Sequence, residues 1–187
     1  MAMNDPFDLL GIEPTYDLDM TAVEKRHRDL SRVLHPDRHV GSSPAERRMS
    51  LGRAVEVNEA FRIVRDSIRR AEALLRRYGV SVVEGAEAKA DPEFLMAMME
   101  LRESLSEAKA KRDRQRIEEL ANSVRTRQAA AVLALRDGFA QAKAANGSGG
   151  ARAEKLVPLL GELRYYRRFL DEVSAIEEAS ADEETSR

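Results

Sequence analysis

The chain has no cysteine and no tryptophan, and only 5% of its 187 residues are aromatic. Without cysteine there is no disulfide, no thiolate metal ligand and no cysteine nucleophile, and nothing decisive follows about redox compartment. So few rings suit helices packed with Leu, Ala, Met and Val better than a β-sandwich. An excess of one charge is also missing, with 31 Lys and Arg against 33 Asp and Glu, a net charge of −2. That balance makes no field for gripping a phosphate polymer, so general nucleic-acid binding fits poorly. No apolar run approaches the ~20 residues of a membrane span, and no cationic leader precedes an apolar stretch. What is present is 43% apolar and 34% charged residues, enough for one medium domain or two small ones. The expectation is a cytoplasmic, all-α protein.

Helix punctuation organises the chain. Asp5-Pro6 before Phe7, Leu9, Leu10 and Gly11 predicts one short helical turn, with an acidic cap, a proline at the first position and a glycine at the exit. A second helix is expected from about Met20 to Leu34, where Thr21 and Glu24 have capping-box spacing. Its apolar face is Val23, Leu30 and Leu34, with His27 in the same stripe. Pro36 stops it, because the residue before a proline is pushed out of helical geometry. Ser43-Pro44-Ala45-Glu46 opens a long helix that should break near Asp66-Ser67, leaving a short helix that ends at Gly79. Residues 80–90 have no helical periodicity and form a linker. Asp91-Pro92 starts a helix to about Lys111, and another follows from about Arg114 to Ala145. Asn146 to Gly150 is expected to be a flexible loop. In the last helix, Pro158 marks either a start near Val157 or a kink. Residues 180–187 are expected to be a disordered polar tail.

The most informative spot is His35-Pro36-Asp37, between two opposed helices. Physically, a helix ends at Leu34, a proline directs the exit, and an imidazole and a carboxylate stand on a polar loop. Lys25, Arg28 and Arg32 recur at spacings of three and four, so they form one stripe leading to that corner, with Arg26 beside it and Arg38 just after. On a near-neutral protein, such a local basic patch suits docking of an acidic partner. Residues 5–78 resemble a J domain: a short helix, a basic second helix, His-Pro-Asp, then a long third helix with Val57-Asn58-Glu59-Ala60-Phe61, similar to that family's Asn-Glu-Ala-aromatic signature. The resemblance implies stimulation of ATP hydrolysis by a DnaK-class chaperone. It places the contact on His35, Pro36 and Asp37 and on Arg26, Arg28 and Arg32. Where many J domains have Asp-Pro after the third helix, this chain has Asp66-Ser67. His27 is expected to be a packed imidazole rather than a ligand. His35 and His39 are separated by a proline-broken turn, so no metal site is expected.

The second half contains a helix over-supplied with apolar side chains. On a helical wheel Phe94, Met98, Leu101 and Leu105 share one narrow face, while Leu95, Met96 and Met99 fall on the side that should be wet. Either this second set is covered by another helix, or it is an exposed methionine-rich surface fringed by Glu100, Arg102 and Glu103. Methionine adapts its shape to a partner, which suits the second reading. Following a J domain and a linker, Asp91 to Leu105 is similar to the start of the C-terminal domain of HscB-type co-chaperones of iron–sulfur cluster assembly. That resemblance implies a three-helix bundle over 91–179 and binding of an IscU-type scaffold. The implied contact residues are Leu95, Met96, Met99, Glu100, Arg102 and Glu103. An aromatic of the last helix is also implied, with Tyr165 first and Tyr166 or Phe169 as alternatives.

The resulting expectation is a two-domain co-chaperone, J domain 1–79 and scaffold-binding domain 91–179. It would do no covalent chemistry, bind no cofactor or metal, and contact neither nucleic acid nor membrane. Its expected partners are an HscA/DnaK-class ATPase and an IscU-type scaffold, and the alternative is a J-domain co-chaperone for a different client. A hydrolase using His35 and Asp37 lacks a nucleophile, an oxyanion hole and a pocket.

Overall fold

The computed structural model describes residues 5–35, 37, 43–82, 91–145 and 147–185. All its regular elements among these residues are helices: α1 (Pro6–Leu10), α2 (Met20–Val33), α3 (Pro44–Arg65), α4 (Ser67–Arg77), α5 (Pro92–Ala110), α6 (Arg114–Ala144), α7 (Gly149–Glu154) and α8 (Val157–Thr185). They form two compact units, Met1–Val82 with Gly138–Glu154, and Val83–Asp137 with Lys155–Arg187. Pro36, Arg38 and His39 lie outside the described residues, as does the 83–90 part of the expected linker.

The first unit is built on short-range caps. Asp5 accepts from Phe7 N at 2.8 Å, and α1 ends on Gly11, whose φ of 63° is the left-handed conformation that closes a helix cheaply only for glycine. Ser43 and Glu46 make the reciprocal capping box at 3.3 and 2.8 Å, so α3 starts where the sequence pattern places it. Asp66 ends α3 through its N–H and opens α4 by accepting from Ile68 N and Arg69 N, both at 2.9 Å. A single residue, Asp66, thus makes the break between the two helices. α2 differs from the expectation: Asp19, not Thr21, is its cap, accepting from Thr21 N at 2.9 Å and Ala22 N at 3.2 Å. The short carboxylate side chain sits one residue ahead of Met20, so the helix is closed before a Thr21 box can form.

Phe7, Leu10, Val23, Val57, Ala60, Val64, Ala71, Leu74 and Leu75 are all buried in this unit. At ~1.5–3 kcal/mol for each large apolar side chain removed from water, they supply the main drive for the α1–α4 assembly. The hairpin of α2 and α3 is aligned by His27, which stacks on Phe61 with centroids 4.1 Å apart and meets Asn58 Oδ1 at 2.8 Å. The imidazole is a packing and hydrogen-bonding residue. Arg77 ties the end of α4 to α1 through Asp5 at 2.7 Å and Asp8 at 3.1 Å.

The end of α6 and α7 complete the same unit. Phe139 stacks on Tyr16 at 5.5 Å and on Tyr78 at 6.4 Å. The expected flexible 146–150 loop is corrected here, since Gly149 and Gly150 already belong to α7. A Cβ on Gly149 would lie 2.8 Å from the Ala142 carbonyl oxygen and 3.0 Å from the Tyr78 ring, and one on Gly150 would lie 3.0 Å from Tyr78 O. These glycines let the helix approach; they do not loosen it.

The second unit contains α5, the α6 segment up to Asp137, and α8. Met98, Leu105, Ile117, Leu120, Val124, Leu135, Leu160, Leu163, Phe169 and Val173 are buried there. α8 begins at Val157, which settles the Pro158 alternative in favour of a start rather than a kink: a proline in the first turn has no helical N–H bond to lose. α8 also runs to Thr185, past the expected tail boundary at Ser180, whose hydroxyl donates to Ile176 O at 2.9 Å. The run of Glu, Ala and Asp is polar, yet most of it is compatible with helix. No helix among the described residues is long and apolar enough to cross a membrane.

Candidate functional site

Two surfaces carry the residues singled out above, one on each unit. At the α2–α3 corner, α2 closes on Leu34, whose carbonyl accepts from Ser50 Oγ at 3.2 Å, so the exit of α2 is tied to α3. Just beyond stand His35 and Asp37, their side chains 59% and 86% exposed. Nδ1 of His35 accepts from the Asp37 backbone N–H at 3.3 Å and lies 3.4 Å from Asp37 Oδ2. The ring therefore faces both the backbone and the carboxylate of Asp37.

Arg28 and Arg32 project from α2 into solvent. Their partners Glu24 and Asp29 are on the same helix at 3.8 and 3.7 Å, with all four side chains about half exposed or more. Such surface pairs contribute about 0–1 kcal/mol, so both cations are available to a partner at small cost. Lys25 is exposed on the same stripe. Arg26, beside the stripe and also exposed, makes a contact within the unit. Its Nε donates to Leu10 O at 2.9 Å and its guanidinium lies over Gly11, where it satisfies the end of α1. A feature missed by the pattern is a groove of about 650 Å³ beside Leu34, lined by Met49, Ser50, Gly52 and Arg53. Met49 and Leu51, exposed in the charged first turns of α3, were the available signal.

On the second unit, Asp91 caps α5 by accepting from Glu93 N at 3.2 Å. The helix then sorts its methionines: Met98 is 3% exposed, whereas Met96 and Met99 are 62% and 71% exposed. Of the two readings open for this face, coverage by another helix is therefore ruled out for Met96 and Met99. Leu95 is half-buried beside them, and Glu100, Arg102 and Glu103 are exposed. Arg102 reaches across to α8, with Nε 3.9 Å from Glu172 Oε2. α8 also contributes Tyr165, whose ring meets the edge of Phe94 at 5.6 Å and lies under the Arg168 guanidinium at 4.5 Å. Tyr166 and Phe169 are buried, at 5% and 0% exposure, so Tyr165 is the aromatic of the three with surface to offer. The result is a helix face with two exposed thioethers and a half-buried leucine edged by charges of both signs, with Tyr165 of α8 against Phe94 on the same helix.

Comparison with known proteins places the whole arrangement. A family model described as the HSCB C-terminal oligomerisation domain matches residues 90–174. A co-chaperone protein HscB homolog of Shewanella oneidensis is 31% identical over 179 residues, covering 94% of this chain and 98% of its own. The homolog from Neisseria meningitidis is 33% identical over 139 residues, 74% of this chain and 84% of its own. With the Bordetella petrii and Shewanella halifaxensis homologs, the matched region spans 64% and 59% of the relative's length. Among solved structures, the chaperone HscB from Vibrio cholerae superposes with a TM-score of 0.80 at 26% identity, covering 94% of this chain and 98% of that one. The human co-chaperone protein HscB shares the fold, with a TM-score of 0.82 at 22% identity over 95% of this chain and 84% of that one. An N-terminal J domain, a C-terminal helical bundle and near-full-length similarity lead to one assignment: the chain belongs to the HscB co-chaperone family.

Proposed function

We propose that this co-chaperone binds an IscU-type iron–sulfur scaffold protein on its second unit and stimulates ATP hydrolysis by an HscA/DnaK-class chaperone through its first. The observation that carries the reading is the exposure of Met96 and Met99 beside a buried Met98. Two neighbouring exposed thioethers with a mixed-charge rim make an adaptable apolar surface of the kind a protein partner needs. Leu95, Met96, Met99 and Tyr165 would supply contact area, and Glu100, Arg102 and Glu103 would set register and select against wrong partners. On the first unit, His35, Pro36 and Asp37 would meet the ATPase, with Arg28 and Arg32 steering an acidic surface toward them. Arg26 would act indirectly, by holding α1 against α2.

Two substitutions test the reading as a pair. In single-turnover ATPase assays of the partner chaperone, His35→Gln should abolish stimulation while scaffold affinity, measured by calorimetry, stays unchanged. Met96→Asp should do the reverse, weakening scaffold binding at least about tenfold, because a carboxylate would be desolvated at the centre of the contact. Equal stimulation by His35→Gln would remove the chaperone-docking assignment, and equal scaffold affinity in Met96→Asp would point to a different client.

A further inference from the structure

The sulfur atoms of the α5 strip add a property that leucine there would not have. Five methionines lie among the described residues, and the fold divides them sharply. Met98 is 3% exposed, while Met96, Met99 and Met49 are 62%, 71% and 75% exposed. Met20 is half-buried, and its sulfur accepts from Arg70 Nη1 at 3.4 Å. Thioether oxidation follows access to water-borne oxidant, so among the described residues Met49, Met96 and Met99 are open sites and Met98 a closed one, and two of the open ones share α5.

We propose that Met96 and Met99 form a reversible oxidation site, and that their sulfoxidation by a peroxide releases the scaffold from this surface. The proposal rests on the scaffold-binding reading above. In the chemical step, a lone pair of Sδ attacks one oxygen of hydrogen peroxide and the O–O bond breaks. The departing hydroxide takes up the proton left on the transferred oxygen. Each event makes one S=O bond and one water, the sulfur losing two electrons and the peroxide gaining them. Residues 96 and 99 are three apart on α5, so the two sulfurs are neighbours on one side of the helix. Sulfoxidation turns a flexible apolar side chain into a polar, chiral one. Two strong acceptors then stand beside Leu95 on an apolar face; the flanking Glu100 and Glu103 offer carboxylates rather than donors, and Arg102 is turned toward Glu172 of α8 at 3.9 Å. Docking would bury those oxygens without partners, which is costly. Because the sulfoxide is a substrate for methionine sulfoxide reductases, the change is erasable.

The test oxidises the full-length protein alone with graded hydrogen peroxide, removes the peroxide, and only then adds an IscU-type scaffold. Peptide mass spectrometry should show sulfoxide at Met96, Met99 and Met49 before Met98. Scaffold affinity should fall on the order of tenfold or more as residues 96 and 99 convert, and recover on treatment with MsrA and MsrB. In Met49→Leu the loss should persist. In Met96→Leu/Met99→Leu, whatever its untreated affinity, peroxide should change nothing. Full conversion at 96 and 99 with undiminished affinity overturns the proposal, as does an equal peroxide effect in the double leucine variant. Failure of the underlying site reading is separable, since it shows in unoxidised Met96→Asp.

Discussion

Glu162 stands near the start of α8 with its carboxyl partly withdrawn from water. That burial, with the nearby Asp91 carboxylate a smaller contributor, holds its pKa above the ordinary 4.5. A carboxyl raised in the folded state binds its proton more tightly there than in the unfolded chain. Stability therefore falls as pH rises from the ordinary value through the raised one, and the penalty is fully present at neutral pH. Glu162→Gln should melt higher than the parent at pH 7, and the difference should close as pH drops below about 4.5, when both states of the parent are protonated. A thermal melt series across that window checks it. At the same scale, the candidate residues were unequally readable. The wheel positions of Met96, Met98 and Met99 follow from a period that sequence displays directly. The bond from Arg26 to the Leu10 carbonyl was not legible, because the acceptor is sixteen residues away and only the fold brings the two together.

At the level of elements, two glycines make opposite demands. A Cβ on Gly52 in α3 meets nothing within 4 Å, whereas one on Gly149 in α7 meets the Ala142 carbonyl at 2.8 Å and the Tyr78 ring at 3.0 Å. Gly52→Ala should raise stability by about 0.5–1 kcal/mol, the helix propensity difference. Gly149→Ala should lower it by about 1–3 kcal/mol, because overcrowding outweighs that gain. Denaturant titrations of both variants measure the contrast. The pair also shows why part of the fold was legible and part was not. Helix starts at Pro6, Pro44, Ser67 and Pro92 depend on caps one residue upstream, and such local chemistry can be recognised without knowing the rest of the chain. The Gly149-Gly150 pair has the same composition whether it serves a loose loop or a tight approach. Only the tertiary neighbour decides, and Tyr78 is some seventy residues away. The tail beyond Ser180 was read short for a related reason: polarity signals exposure, and exposure is not the opposite of helix.

Across the whole molecule, the proposed scheme depends on both surfaces belonging to one chain. A scaffold held on the bundle is delivered to the chaperone at an effective concentration set by the tether rather than by bulk solution. An equimolar mixture of His35→Gln and Met96→Asp should therefore fail to restore scaffold-dependent ATP hydrolysis at dilute concentrations where the parent supports it. Restoration in the mixture would show that the two activities need no physical linkage. The make-up of the first unit has another consequence, for biosynthesis. Tyr16 and Tyr78 find Phe139 as their stacking partner, and Ala142 and Ala153 are buried in the same unit, yet those residues follow α5 in chain order. At ~5–20 residues per second of translation, the ribosome needs several seconds to travel from Val82 to Glu154. During that interval the amino-terminal helices emerge with part of their aromatic interior uncovered, because Phe139 has yet to be made.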